Sequence, residues 1–244
     1  MTAPLPSVEV AYRSPVDSHR ACSLARSLGL ACAGPDDPTG ADLSVLVEEG
    51  GVWLRDNRQR GSRLLRADFE TVESPSRKQP LGRAVGHRIR TVVDATAGWG
   101  DDSRRLCAMG YTVTAVERSP VLAALLEDAA SRARDAGKRH IPRIIAGDAI
   151  EVLAASSGSW DCVYLDPMFP PKPRSSTLAK RPMRLLRELV GDDPDRHRLF
   201  EVAAVAAARR IVVKRPDHAA PVFGKPDDVM GGKLVCYDVY HFPR

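Results

Sequence analysis

"VVDATAGWGDD", Val92 to Asp102, decides the fold. An apolar run ends in a carboxylate, Asp94, and gives way to a turn holding Gly98 and Gly100. Asp101 and Asp102 then open "DDSRRLCAMG", which has the spacing of a helix. Strand, glycine turn and helix in this order open a βαβ unit. Glycine there allows a tight turn and close approach of a ligand, and the helix start offers unpaired N–H groups. The turn falls short of the dinucleotide fingerprint G-x-G-x-x-G, because Ser103 stands where the third glycine would be. Two aspartates at the helix start would repel a phosphate, so a cationic ligand suits this turn better.

The alternation continues outward from that unit. "YTVTAVE" reads as a second strand and "SPVLAALLEDAASRARDAG" as a long helix, with Ser119 as N-cap, Pro120 at its first position and Gly137 past its end. "RIIAGD" is a third strand and "WDCVYLDP" a fourth. Helices follow around Met183–Val190 and Asp195–Arg209, then the strands "RIVVKRP" and "KLVCYDVYHF". Such alternation predicts an α/β fold with a doubly wound, mostly parallel sheet and a ligand crevice at the carboxyl ends of its strands. Residues 1–72 read as a small N-terminal α+β unit: a strand at Val8–Tyr12, a helix around Asp17–Leu28, and strands at "LSVLVEE", "GVWLRD" and "RLLRADF", with a hairpin turn at Gly50-Gly51. Residues 73–90 read as a polar, basic linker and 91–244 as the main domain.

Acids recur at the strand ends. Glu117 closes the second strand, nineteen positions after Gly98, where doubly wound folds hold ribose hydroxyls, and Gly147-Asp148 closes the third, where a carboxylate can accept from an adenine amine. With Asp94 these favour S-adenosylmethionine, which has a sulfonium, an amine, a ribose and an adenine but no phosphate. "DPMF", Asp166 to Phe169, overhangs the same crevice. An aromatic exocyclic amine is a poor nucleophile, and acceptors on its N–H groups can turn its lone pair toward a methyl group. Asp166 and the carbonyl of Pro167 are the candidate acceptors. Phe169 would stack on the base, a contact worth roughly 1–3 kcal/mol. Read alone, the tetrapeptide is more simply a turn with a buried ring, and its place after strand four, with acids on strands one to three, reverses that reading.

Behind it, Lys172, Arg174, Lys180, Arg181, Arg184 and Arg187 form a run without an acid, more economically read as phosphate contacts that position RNA than as a solvated helix face. Arg77, Lys78, Lys214 and Arg215 would extend that track. The net charge of +5 agrees with an anionic partner, and its distribution is telling. The first sixty residues hold six basic against eight acidic side chains, so the basicity belongs to the larger part. Five scattered cysteines suggest neither a disulfide framework nor a metal knuckle, and the six histidines show no ligand pairing. No stretch reaches membrane-spanning length, which makes a cytoplasmic protein the expectation.

Assembled, these residues resemble the bacterial 16S ribosomal RNA guanine-N2 methyltransferases of the small-subunit methyltransferase J family. The resemblance runs from about Val92 to the C-terminus and is carried by "VVDATAGWGDD", "VERSPVLAALLEDAASRA", "VYLDPMFPPKPRSSTLAKRPMRLLRELVG" and "RIVVKRPDHAAP". It implies a Rossmann-like class I fold, S-adenosylmethionine as cofactor, no metal, and as partner 16S rRNA or the small ribosomal subunit, methylated at one guanine near the RNA's 3′ end. By position it implies cofactor contacts at Asp101, Asp102, Glu117, Arg118, Gly147, Asp148 and Asp166. Three rivals remain: a methyltransferase for adenine N6, a non-catalytic RNA-binding module on the same fold and, more distantly, a nicotinamide oxidoreductase.

Overall fold

The computed structural model describes residues 5–35, 40–71, 75–156, 159–169, 181–191, 195–232 and 234–242, with Arg181 and Ala208 described by backbone alone. The N-terminal unit comprises β1 (Val8–Tyr12), a short 3-10 turn at Pro15–Asp17, α1 (Ser18–Leu28), β2 (Ala31–Ala33), β3 (Leu43–Glu48) and β4 (Gly51–Asp56). Its sheet has the order β2-β1-β3-β4, with β1 parallel to both neighbours and β3–β4 a hairpin turning at Glu49-Gly50. The strand expected at "RLLRADF" is reduced to one bridge between Leu54 and Leu65. The short β2 fills the other edge. Cys22 on α1 and Cys32 on β2 are joined as a disulfide, Cα atoms 5.4 Å apart. This corrects the expectation of no disulfide: the left-handed turn at Gly29 (φ 66°) folds β2 back along the helix and brings the two side chains together. Cys107 and Cys162 are buried free thiols, pushed up to about 12 by that burial.

The segment read as a linker contains a helix, α2 (Pro80–Val85). Pro80 sits in its first turn, where the missing N–H costs nothing. The internal glycine that argues against a helix has a packing cause, since a Cβ on Gly82 would lie 2.5 Å from Arg77 Cα.

The main sheet follows with β5 (Thr91–Asp94), α3 (Asp101–Ala108), β6 (Thr112–Glu117), α4 (Pro120–Asp135), β7 (Arg143–Ala146), α5 (Ala149–Ala154), β8 (Trp160–Leu165), α6 (Arg181–Val190), α7 (Arg196–Ala206), β9 (Ala207–Pro216), β10 (Asp228–Gly231) and β11 (Val235–His241). Its order is β10-β11-β9-β8-β5-β6-β7. The strands from β7 to β9 pair in parallel, and β11 inserts antiparallel between β9 and β10. The chain winds outward from β5 through β6 to β7, then returns to β8 on the other side. That reversal puts the crevice at the carboxyl ends of β5 and β8.

One apolar core crosses the expected boundary between the two units. Val10, Val45 and Leu54 of the N-terminal sheet pack with Leu122, Leu125 and Leu126 of α4 and with Leu185 and Leu186 of α6. Polar ties reinforce it: Arg20 of α1 donates to Asp128 of α4 (2.8 Å), while Arg132 of α4 pairs with Asp128 and Glu70 and donates to the Ala67 carbonyl (2.7 Å). Gly100 is the tightest point of the contact. Its φ is 79°, and a Cβ there would lie 2.7 Å from Leu126 Cδ2 and 2.8 Å from Phe69 Cε1 and Cζ. Gly100→Ala should therefore destabilise by about 2–3 kcal/mol and lower the melting temperature by roughly 5–10 °C. A melting curve matching wild type would show that this contact yields freely.

Candidate active site

A cavity of about 490 Å³ opens where β5 and β8 part, within the size range of small-molecule sites. Its walls are the loop Ala95–Trp99 after β5, the end of β6 at Glu117 and Arg118, Asp166–Phe169 after β8, and the inner side of α6 at Met183, Leu186, Arg187 and Val190. The glycine loop and α6 are tied together, since Trp99 Nε1 donates to the Pro182 carbonyl (3.0 Å).

Four polar groups meet on one wall. Lys214 Nζ donates to Asp102 Oδ2 (2.6 Å) and to Asp166 Oδ2 (2.9 Å), and the buried Tyr164 hydroxyl donates to the same Asp102 oxygen (2.7 Å). Burial alone would lower the lysine pKa, but Asp166 and Asp102 outweigh it and hold the ammonium above its ordinary range. Burial, and then the negative charge of Asp102 and Asp166, raises the tyrosine well above its ordinary value, so it stays a donor. Asp166 is fixed through its backbone as well, its N–H donating to Thr96 Oγ1 (2.6 Å). The carboxylate is 38% exposed toward the crevice, with Pro167, Met168 and Phe169 lining the cavity beside it.

The other strand-end acids divide by orientation. Glu117 lines the cavity, accepting from the backbone N–H of Gly98 (2.8 Å) and of Ser119 (2.8 Å), so it shapes the glycine loop while presenting an acceptor-only group. Asp94 lines the cavity too but is 1% exposed, accepting from the Ser103 hydroxyl (2.6 Å) and the Thr96 N–H (3.2 Å). Burial is the main reason its carboxyl is raised to about 7, opposed by the Ser103 hydrogen bond and aided by the neighbouring charge of Asp102. Asp148 is exposed and caps α5 by accepting from the Ile150 N–H (2.7 Å). Gly147 continues the ladder, donating to the Glu117 carbonyl (3.0 Å). Neither lines the cavity, although the next residues, Ala149 and Ile150, do. Gly98 lines it while Gly100 packs behind, and Asp101 lines its rim with a 77% exposed side chain. Arg118 lines it too, donating to the Val190 carbonyl (3.1 Å) and pairing with Asp195 (3.6 Å).

Of the basic residues expected to track RNA, Lys172, Arg174 and Lys180 lie outside the described residues, as does the side chain of Arg181. Arg187 is in the cavity wall, where it donates to the Phe169 carbonyl (2.7 Å) and so holds the lip after β8. Arg184 faces Glu188 (3.8 Å) and Asp56 of β4 (4.0 Å). Arg77 donates to the carbonyls of Met109 (2.7 Å) and Gly110 (3.1 Å) and stacks on Tyr111, while Lys78 beside it is exposed. Arg215 is buried against Asp238 (2.7 Å). The extended cationic track is thus largely internal.

Tyr164 and Thr96 carry no sequence signal that marks them for the site, and Lys214 belongs to the cavity wall rather than to a surface track. For Lys214 a signal does exist: strand residues alternate in direction, so the heads of Lys214 and Arg215 in "RIVVKRP" part, and although both residues line the cavity, the ammonium meets Asp102 and Asp166 while the guanidinium turns to Asp238.

These residues fit S-adenosylmethionine. Acids rather than cations flank the glycine turn, Glu117 offers hydroxyl donors an acceptor, and Ala149, Ile150 and Val116 give an apolar wall. Comparison with known proteins agrees. The family described as SAM-dependent methyltransferase matches residues 35–242. The ribosomal RNA small subunit methyltransferase J of Thioalkalivibrio sulfidiphilus is 38% identical over 250 residues, covering 96% of this chain and 97% of its own. Its namesake in Pseudomonas paraeruginosa is 40% identical over 232 residues, covering 88% and 87%. A crystal structure of a SAM-dependent methyltransferase from Neisseria gonorrhoeae superposes with a TM-score of 0.70 at 30% identity, covering 95% of each chain.

Proposed function

The chain belongs to the ribosomal RNA small subunit methyltransferase J family of SAM-dependent methyltransferases, and from that premise we propose that it methylates the N2 amine of one guanine in 16S rRNA. Its fold is the Rossmann-like class I fold and its cofactor S-adenosylmethionine. The observation that carries the reading is Asp166: a carboxylate at the sheet's reversal point, in the cavity wall, fixed by Lys214 and followed by Phe169.

When bound, S-adenosylmethionine supplies an electrophilic methyl group on a sulfonium. The chain's part is to prepare the amine. Asp166 accepts an N–H of the base, which holds the amine with its lone pair free to react and takes up the positive charge and proton that develop there. Phe169 offers a stacking face for the base, and Arg187 keeps that lip closed on α6. Glu117, with Asp94, Asp101, Asp102, Gly98 and Arg118 around the same cavity, is assigned to the cofactor, with Gly100, Gly147 and Asp148 shaping the backbone behind them. Lys172, Arg174, Lys180 and Arg181 are assigned to phosphates, and an rRNA substrate implies a cytoplasmic protein.

Incubating total RNA with labelled S-adenosylmethionine and digesting it to nucleosides should yield label in N2-methylguanosine. Label in N6-methyladenosine would transfer the same site to the adenine reading, and mapping RNA from cells with and without the protein then locates the nucleotide.

A further inference from the structure

We propose that Lys214 reads the O6 oxygen of the target base, so that Asp166 and Lys214 together form a guanine-selective edge. This deepens the proposed function and rests on it. An ammonium has three donors. Two are committed, to Asp102 at 2.6 Å and Asp166 at 2.9 Å, and the third meets no acceptor among the described residues, while Lys214 lines the cavity. Asp102 is itself held by the buried Tyr164, so the lysine head is braced against β8 and α3. The wall therefore presents two carboxylate oxygens and then, adjacent to one of them, a cationic donor.

Enzymes that act on an extruded base read it through its Watson–Crick edge. Guanine's edge runs donor, donor, acceptor: the N2 amine, N1–H and O6. It meets the sequence acceptor, acceptor, donor at every position. Adenine presents only an amine and the N1 acceptor, so it makes two of these three bonds. Cytosine sets a carbonyl against the carboxylate. A missing bond to a charged group, or an acceptor set against an acceptor, weakens binding of the wrong base, which makes the lysine a device for selection as well as for affinity.

The test combines two enzymes with two bases. Small-subunit RNA is assembled by ligation with either guanine or 2-aminopurine at the mapped position. The analogue keeps the N2 amine but lacks O6 and N1–H, and the N1–H loss is common to both enzymes. Lys214→Met should lower kcat/KM on guanine roughly thirtyfold more than on 2-aminopurine, the expected size for a charged hydrogen bond, the loss on the analogue being that of the brace on Asp166 which both bases share. Equal losses on both bases would overturn the inference, leaving Lys214 as a brace for Asp166 and the proposed function intact. Absence of guanine methylation by the wild-type protein would overturn both. Should Lys214→Met fail to melt cooperatively, Lys214→Gln carries the same comparison, since its amide can still bond Asp102 while losing charge and reach. For it too the guanine loss must exceed the 2-aminopurine loss.

Discussion

Asp166→Ala should lower kcat for RNA methylation by about a thousandfold or more, well beyond any loss of S-adenosylmethionine affinity. The size follows from what is removed. A positioned acceptor for a reacting proton typically contributes about 10²–10⁴, and electrostatic stabilisation of the charge developing on the amine adds to it. The fold should survive, because the carboxylate is partly exposed and Lys214 keeps its 2.6 Å bond to Asp102 when Asp166 is gone. Asp166→Asn is expected to be nearly as inactive. Lys214 would draw the amide oxygen toward itself, turning an NH2 group toward the substrate amine, donor against donor. Single-turnover methylation with calorimetric cofactor binding separates the effects; a folded Asp166→Ala protein within tenfold of wild type would remove Asp166 from the chemistry.

The position of that carboxylate is legible in the amino-acid sequence. Regular alternation of apolar runs and helical segments after residue 91 specifies a doubly wound sheet, and acids at the ends of successive strands then mark the crevice rim. Orientation is not legible in the same way. Asp94 and Asp148 carry the same strand-end signature as Glu117 and Asp166, yet one is buried in the cavity wall on Ser103 and the other caps a helix outside the cavity. Side-chain direction at a strand end depends on the local turn, and partners such as Ser103 or the Ile150 N–H become visible only when the helices are placed. The partners of the basic residues are hidden for a related reason. A run of cations in the sequence says nothing of the acids that folding brings to it, and Asp56, at the end of β4 in the N-terminal sheet, faces Arg184 of α6 across the shared core. "RLLRADF" has a strand's alternation but only Leu65 finds a partner, on Leu54, because a strand exists only where another can pair with it.

Asp94 should make the ligand-free protein lose stability as pH rises from about 4 to about 7, and Asp94→Asn should remove that loss. In the unfolded chain the group titrates near the ordinary carboxylate value of about 4, and in the folded protein near 7. Between those values the native state holds a proton that the unfolded state has released. Stability therefore falls with increasing pH across the window, by up to about 1.4 kcal/mol per pH unit and about 4 kcal/mol in all, and levels off above it. Full benefit is present below pH 4. Asparagine mimics the protonated acid at both contacts: its oxygen can accept from the Thr96 N–H and its amide can donate to the Ser103 hydroxyl. The variant and wild type should thus have similar urea midpoints at pH 4.5, with the variant pulling ahead by pH 8. Taking the difference between the two proteins cancels every other titrating group except those coupled to Asp94, chiefly Asp102 and Asp166. Parallel profiles across the window would mean that Asp94 is ionised in its buried site. The glycine turn would then rest on a charged strand end, and the acid could contribute its charge to the cavity beside Asp102.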